Sequence, residues 1–344
     1  MNGTRPVHRT SAIAERVPDA FRPSTAHVAE RRCTIGLVRG FVAVTDPGWY
    51  ERLARTPAPK DANFWRPSVV PVKLPTGTPF FFKKAPHRAI AGVGFFAGFS
   101  VLPDWLAWET FGEANGVDSL EELRARLAGI QSRASIAADV QGRIGCSLIA
   151  EAQFFTPTEW VAPPSDWSPR TQSGAGYDLE TGEGRRIWSE CQRRMWSRAA
   201  DVADPLALAG EAQRGKAAVI RPRLGQAIFR VSVLDAYGRA CAVSQEHSLP
   251  VLEAAHIRSF ATGGPHDVRN GLTLRTDLHR LFDRGYATVD EDHRFIVSRR
   301  LMQDFGNGRS YRDLDGRPLT LPPDPSLRPA AAALVWHREN VFLG

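Results

Sequence analysis

No stretch of the 344 residues approaches the ~20 uninterrupted apolar residues of a membrane helix, which argues against a spanning protein. The first thirty residues contain no apolar segment of the kind a secretory signal needs, so a cytoplasmic location is expected. Cysteine is scarce. Cys33, Cys146, Cys191 and Cys241 lie far apart with no CxxC pair, which leaves neither a disulfide framework nor a cysteine-built zinc site. Lysine is scarcer in proportion, supplying five of the 44 basic residues, and the rest are arginine. Arginine's planar fork suits phosphate and guanine, so a net charge of +7 carried this way points toward nucleic acid. With 43% apolar and 24% charged residues the chain reads as globular, and its length suggests two domains rather than one core.

Residues 1–30 have few large apolar residues and read as a flexible arm. From Cys33 onward, short apolar runs lie between Gly and Pro, namely CTIGLVRGFVAV, VVPVKLPTGTPFFFKK, IAGVGFFAGFSV and IGCSLIAEAQFF, and these predict strands. Asp46-Pro47 and Pro103 each open a predicted helix, and Ser119 with Glu122 forms a predicted capping box. Residues 160–182, with three prolines and several glycines, read as a connecting stretch before a helix with Ile187, Cys191 and Met195 on one stripe. A further helix is predicted from Pro222 to Gly238, a natural left-handed end position. The expected fold is α+β, with a reader domain at 31–180, a helical linker at 181–220 and a second domain at 221–344.

The chemistry concentrates in VLEAAHIRSFATGGPHDVRNGLTLRTDLHRLFDRG, residues 251–285. A short strand delivers His256, a Gly-Gly turn follows, Asn270 opens a second strand, and Thr276 or Asp277 caps a helix with His279 and Asp283 on one face, spaced to hold a cation together. The segment resembles the HNH nucleases, the ββα-metal fold, over about Arg221 to Phe342. The resemblance implies His256 as general base, Asn270 as the residue that ties the loop and orients the base, and His279 as a metal ligand. It further implies one divalent cation, Mg²⁺ or Mn²⁺ first and Co²⁺ or Ni²⁺ next, and hydrolysis leaving 5′-phosphate and 3′-hydroxyl ends. Many relatives carry an Asp or His directly before the base, where this chain has Ala255, so the second ligand is open between Asp283 and Glu253. His266 in the loop reads as a solvated histidine, and Cys241 as a buried thiol. Arg258, Arg275, Arg280 and Arg284 are candidates for contact with DNA phosphate.

Six of nine tryptophans fall between residues 49 and 167. NFWRP (63–67), FFFK (80–83), GVGFF (92–96), LPDWLAWETFGEANGV (102–117), IGCSLI (144–149) and FFTPTEW (154–160) resemble the PUA superfamily, near the EVE and YTH readers. The resemblance implies a small β-barrel that captures a modified cytosine, hydroxymethylated or related, in double-stranded DNA. Trp65, Asn63, Trp49 and Trp105 are the candidates for its pocket. Together the two resemblances describe a modification-dependent restriction endonuclease, a homodimer where both strands are cut. Three other readings stay open: a nuclease whose first domain reads phosphorothioate, DNA structure or a partner, a noncatalytic DNA-binding protein, and an RNA-processing factor.

Overall fold

The computed structural model describes residues 39–56, 61–85, 87–171, 173–200, 223–306 and 308–344. The expected arm at 1–30, Cys33 and residues 201–222 of the expected linker lie outside them. The punctuated apolar runs become a six-stranded mixed sheet in the order β2-β5-β4-β3-β1-β6. Its strands are β1 (Arg39–Thr45), β2 (Asp61–Arg66), β3 (Pro79–Lys84), β4 (Ile90–Pro103), β5 (Arg143–Phe154) and β6 (Gly174–Asp178). β1 runs parallel to β3, and the other neighbours are antiparallel. Among the described residues the end strands β2 and β6 do not pair with each other, so the sheet does not close into the expected barrel.

Two local expectations are corrected. Residues 69–76 form no strand, because Pro71 and Pro75 lack the donors a ladder requires. The stretch read as a connection at 160–182 contains β6, which extends the sheet beyond β1.

The helices start largely where capping chemistry puts them. Asp46 caps α1 (Pro47–Arg55) by accepting from the Trp49 amide, and Ser119 caps α3 (Leu120–Ala134) by accepting from the Glu122 amide. The Glu122 carboxylate accepts from Asp118 rather than Ser119, so the box closes one residue early. Between them lies α2 (Asp104–Phe111). α4 (Gly182–Ala200) buries Ile187 and Cys191 beside Val42, Phe81 and Val93 of the sheet. Among the described residues no helix is long and apolar enough to cross a membrane.

α5 (Gln226–Ala236) faces two cores at once. Ile228 and Val231 pack with Leu102, Leu106, Leu123 and Leu148, while Phe229, Val233 and Leu234 pack with Leu252, Leu272, Leu278 and Phe282. Its N-terminal amides end on Asp61 of β2, whose two carboxylate oxygens accept from Gly225 N at 2.9 Å and Ile228 N at 3.1 Å. The second core belongs to β7 (Leu252–His256) paired antiparallel with β8 (Gly271–Arg275), then α6 (Thr276–Asp283). A three-stranded sheet of β9 (Ala287–Val289), β10 (Arg294–Val297) and β11 (Arg317–Pro318) follows, with the short helices α7 (Arg300–Phe305) and α8 (Arg309–Arg312) between its second and third strands. α9 (Ala331–Asn340) ends the second core.

Removing the Asp61 carboxylate orphans two buried amides. Asp61→Ala is expected to cost about 2 kcal/mol in urea unfolding of the full chain, and Asp61→Asn, which keeps an accepting oxygen, distinctly less.

Candidate active site

β7 and β8 place His256 opposite Gly271. A Cβ on Gly271 would stand 2.5 Å from a Val233 methyl and 3.0 Å from the Phe229 ring, so the absence of a side chain lets α5 press against the strand. The result is a platform for His256, whose imidazole stacks on Phe229 with centroids 3.9 Å apart and planes 13° apart. Its Nε2 lies 3.0 Å from Nδ1 of His266. Burial, and then the charges of His266 and His279, push the His256 pKa down to about 4, with Asp283 opposing, so the ring is neutral near pH 7.

Asn270 is buried in the short turn before β8, where all its amide groups are used. Nδ2 donates to the Arg258 carbonyl at 2.9 Å and the Pro265 carbonyl at 3.0 Å, while Oδ1 accepts from Arg258 N at 2.9 Å. The side chain thus clasps both ends of the loop that carries His266.

His279 sits on α6 between two carboxylates. Nδ1 is 2.6 Å from Glu253 Oε2, and Nε2 is 3.2 Å from Asp283 Oδ2. Burial alone would lower the His279 pKa, but the hydrogen bonds and charges of Asp283 and Glu253 together hold it above the ordinary value. α6 begins without the expected side-chain cap. The Thr276 hydroxyl donates to the Val251 carbonyl, and Asp277 pairs with Arg275 at 2.6 Å.

This donor set suits a divalent cation. With Nδ1–H kept on Glu253, a cation would take the place of the proton between Nε2 and Asp283, and 3.2 Å is close to the about 3 Å that separates adjacent donors sharing one small ion at 2.0–2.2 Å. Glu253 meets the Nδ1 side of the imidazole, opposite the nitrogen that Asp283 meets. Among the described residues no three His, Cys, Asp or Glu side chains converge on one point, so water and substrate would complete any coordination shell.

The four arginines divide. Arg258 donates to the Thr262 carbonyl and lies over the Trp336 ring, and Arg275 is bound to Asp277, so both brace the site. Arg280 on α6 and Arg284 just past its end are exposed and border a cavity of about 280 Å³ with Tyr286, Phe305 and Tyr311. The four candidates for a base pocket do not meet at an opening. Trp49 and Asn63 are 3% and 0% exposed, in the core, where the Trp49 indole donates to the Asn63 carbonyl and the Asn63 amide donates to Asn115 and Cys146. Trp65 and Trp105 are only partly buried, and Trp65 donates to the Asn115 carbonyl.

Residues 241–290 match the family model described as HNH endonuclease. The chain carries an HNH endonuclease domain. No curated protein matches the chain. A solved structure described as the modification-dependent TagI restriction endonuclease aligns at 20% identity and a TM-score of 0.26, covering 34% of this chain and 38% of that one. Within the HNH domain, Cys241 is a buried free thiol, as expected. Two contributors escaped the sequence: Phe229 lies outside the motif, and His266 was visible but indistinguishable from a solvated loop residue.

Behind α6, His337 of α9 stacks on Phe282 at 3.7 Å, with Nε2 3.1 Å from the Phe282 carbonyl and Nδ1 2.9 Å from the Thr288 hydroxyl. Burial pushes its pKa down to about 4, against the opposing Phe282 hydrogen bond and Asp283 charge. An unfolded histidine titrates near 6.5, so between pH 6.5 and 4 the unfolded chain takes up the proton and the fold does not. Stability is therefore full above about pH 6.5 and falls as pH drops toward about 4, by on the order of 3 kcal/mol from this residue. Thermal melts at pH 7 and 4.5 should show that loss, and His337→Gln should lessen it.

Proposed function

We propose that this nuclease is a cytoplasmic, modification-dependent restriction endonuclease acting on double-stranded DNA that carries modified cytosine, hydroxymethylated or related. The carrying observation is the pairing of a neutral, platform-stacked His256 with a His279–Asp283 donor pair on the next helix. His256 takes a proton from the attacking water. Asn270 holds the loop beside it, and Glu253 fixes the His279 ring so that Nε2 and Asp283 would hold a divalent cation, Mg²⁺ or Mn²⁺ before Co²⁺ or Ni²⁺. Such an ion would supply positive charge to offset that of the scissile phosphate and the leaving 3′ oxygen. The products carry 5′-phosphate and 3′-hydroxyl ends. Arg280 on the same helix and Arg284 at its C-terminal end, both exposed, contact the flanking backbone.

Residues 221–344 form the cutting domain in this scheme, 31–180 the reader, 181–220 the link between them, and 1–30 an arm. The reader role is supported by the EVE-like sequence motifs and by the aromatic content of the sheet, with Trp65 and Trp105 the pocket candidates that keep exposed surface. One HNH site cuts one strand, so a double-strand break calls for a homodimer or two binding events.

His256→Ala is expected to lower cleavage by at least about 10²-fold while DNA retention in a gel-shift assay is unchanged. Cleavage at the wild-type rate in that variant would remove the general-base assignment. For the reader, matched plasmids with plain, methylated, hydroxymethylated and phosphorothioate DNA should be digested in parallel. Preferential cutting of the hydroxymethylated plasmid is expected, and equal cutting of all four would exclude a modified-base reader.

A further inference from the structure

His266 stands in the loop between β7 and β8, with Nδ1 3.0 Å from Nε2 of His256. A hydrogen bond between two imidazole nitrogens holds one proton, so one ring donates and the other accepts. If His266 donated, Nε2 of His256 would be used as the acceptor and the ring's own proton would sit on Nδ1. A neutral His256 would then have no unshared pair left for water. If His256 donates through Nε2–H, its Nδ1 keeps a lone pair and the ring is a competent base.

Two further observations fit the second arrangement. Among the described residues no group is hydrogen-bonded to Nδ1 of His256, so that nitrogen is available. Both rings are also held flat against aromatic partners. His256 lies on Phe229, and His266 stacks on the exposed Phe260 with centroids 4.4 Å apart and planes 9° apart. The stacks fix the plane of each ring, and the Nε2–Nδ1 contact between them fixes which nitrogens meet.

We propose that His266 is the positioning residue that selects the Nε2–H tautomer of His256 and so makes Nδ1 its basic nitrogen. The assignment rests on His256 being the general base. In the step it serves, the water O–H bond breaks and its proton goes to Nδ1 of His256. The water oxygen bonds to phosphorus, the bond from phosphorus to the 3′ oxygen breaks, and that oxygen takes a proton from solvent. His256 becomes an imidazolium whose Nε2–H bond to His266 is now charge-assisted, and therefore stronger than in the resting site. His266 thus helps more after proton transfer than before it.

Long-range ¹H–¹⁵N correlation on the full chain with ¹⁵N-labelled histidine, at pH 7, reads the tautomer without any cleavage. His256 is expected to carry its proton on Nε2, and a proton on Nδ1 would overturn the proposal. Kinetics on supercoiled plasmid with Mn²⁺ give the second measurement. His266→Phe keeps the stack on Phe260 but accepts nothing, and kcat should fall on the order of 10²-fold with KM nearly unchanged. His266→Asn, whose Oδ1 lies near the position of Nδ1, should recover most of the loss. A phenylalanine variant as active as wild type would overturn the proposal. A wild-type chain that cuts no DNA would remove the nuclease assignment, and the tautomer measurement would still decide the role of His266.

Discussion

Everything in the catalytic half depends on α5 being held in place from outside that half. Its Phe229 face is the floor under the His256 ring, its Ile228 and Val231 face is part of the sheet's core, and its first amides terminate on Asp61 of the first sheet. Burial keeps the Asp61 carboxyl pKa above its ordinary value, against the amides that stabilise its charged form. The charge of His266 also acts on Asp61, which places the cap and the base's partner within electrostatic reach of each other. A displacement of β2 therefore moves the helix end, the aromatic platform and His256 together. Further ties cross the same junction, with Arg230 on Glu109 at 2.7 Å and Arg239 on Ser100 at 3.0 Å.

The HNH segment was legible because its determinants are local. Two short strands, a loop and one helix turn bring His256, Asn270 and His279 together, and the i, i+4 spacing alone put His279 and Asp283 on one face. The role of Glu253 was not legible. Its contact with His279 joins a strand to a helix 26 residues later, and only the angle between them decides which side of the imidazole the carboxylate meets. The first sheet shows the same limit. β2 begins Asp-Ala-Asn, residues depleted from strands, and it becomes a strand because Ala62 and Asn63 are buried against β5 and Asp61 is spent on α5. β6, rich in glycine, forms because β1 offers it an edge. In both cases tertiary pairing overrides propensity.

Tryptophan density near the sheet does not by itself locate a pocket, for a related reason. An aromatic side chain serves a core as well as a cleft, and composition does not distinguish the two. Trp49 makes edge contacts with Phe64 and Phe154 and a tilted one with Phe82, which is how a core closes around a large ring. Its indole N–H is used on a backbone carbonyl, so it has no polar group to offer a ligand. Asn63 is likewise in the core, 0% exposed, with its Nδ2 directed to Asn115 and Cys146.

The alanine before His256 follows from where that strand is buried. Ala255 is 0% exposed and packs with the cluster containing Leu272, Leu274 and Phe282. A carboxylate there would be taken from water into an apolar core, at a large desolvation cost. The acid is instead at Asp283, on the exposed side of α6, where its oxygen reaches Nε2 of His279 while the rest of the group stays hydrated. Burial of β7 and exposure of α6 thus divide the labour between them. The strand holds a neutral imidazole against an aromatic floor, and the helix holds negative charge on its exposed side.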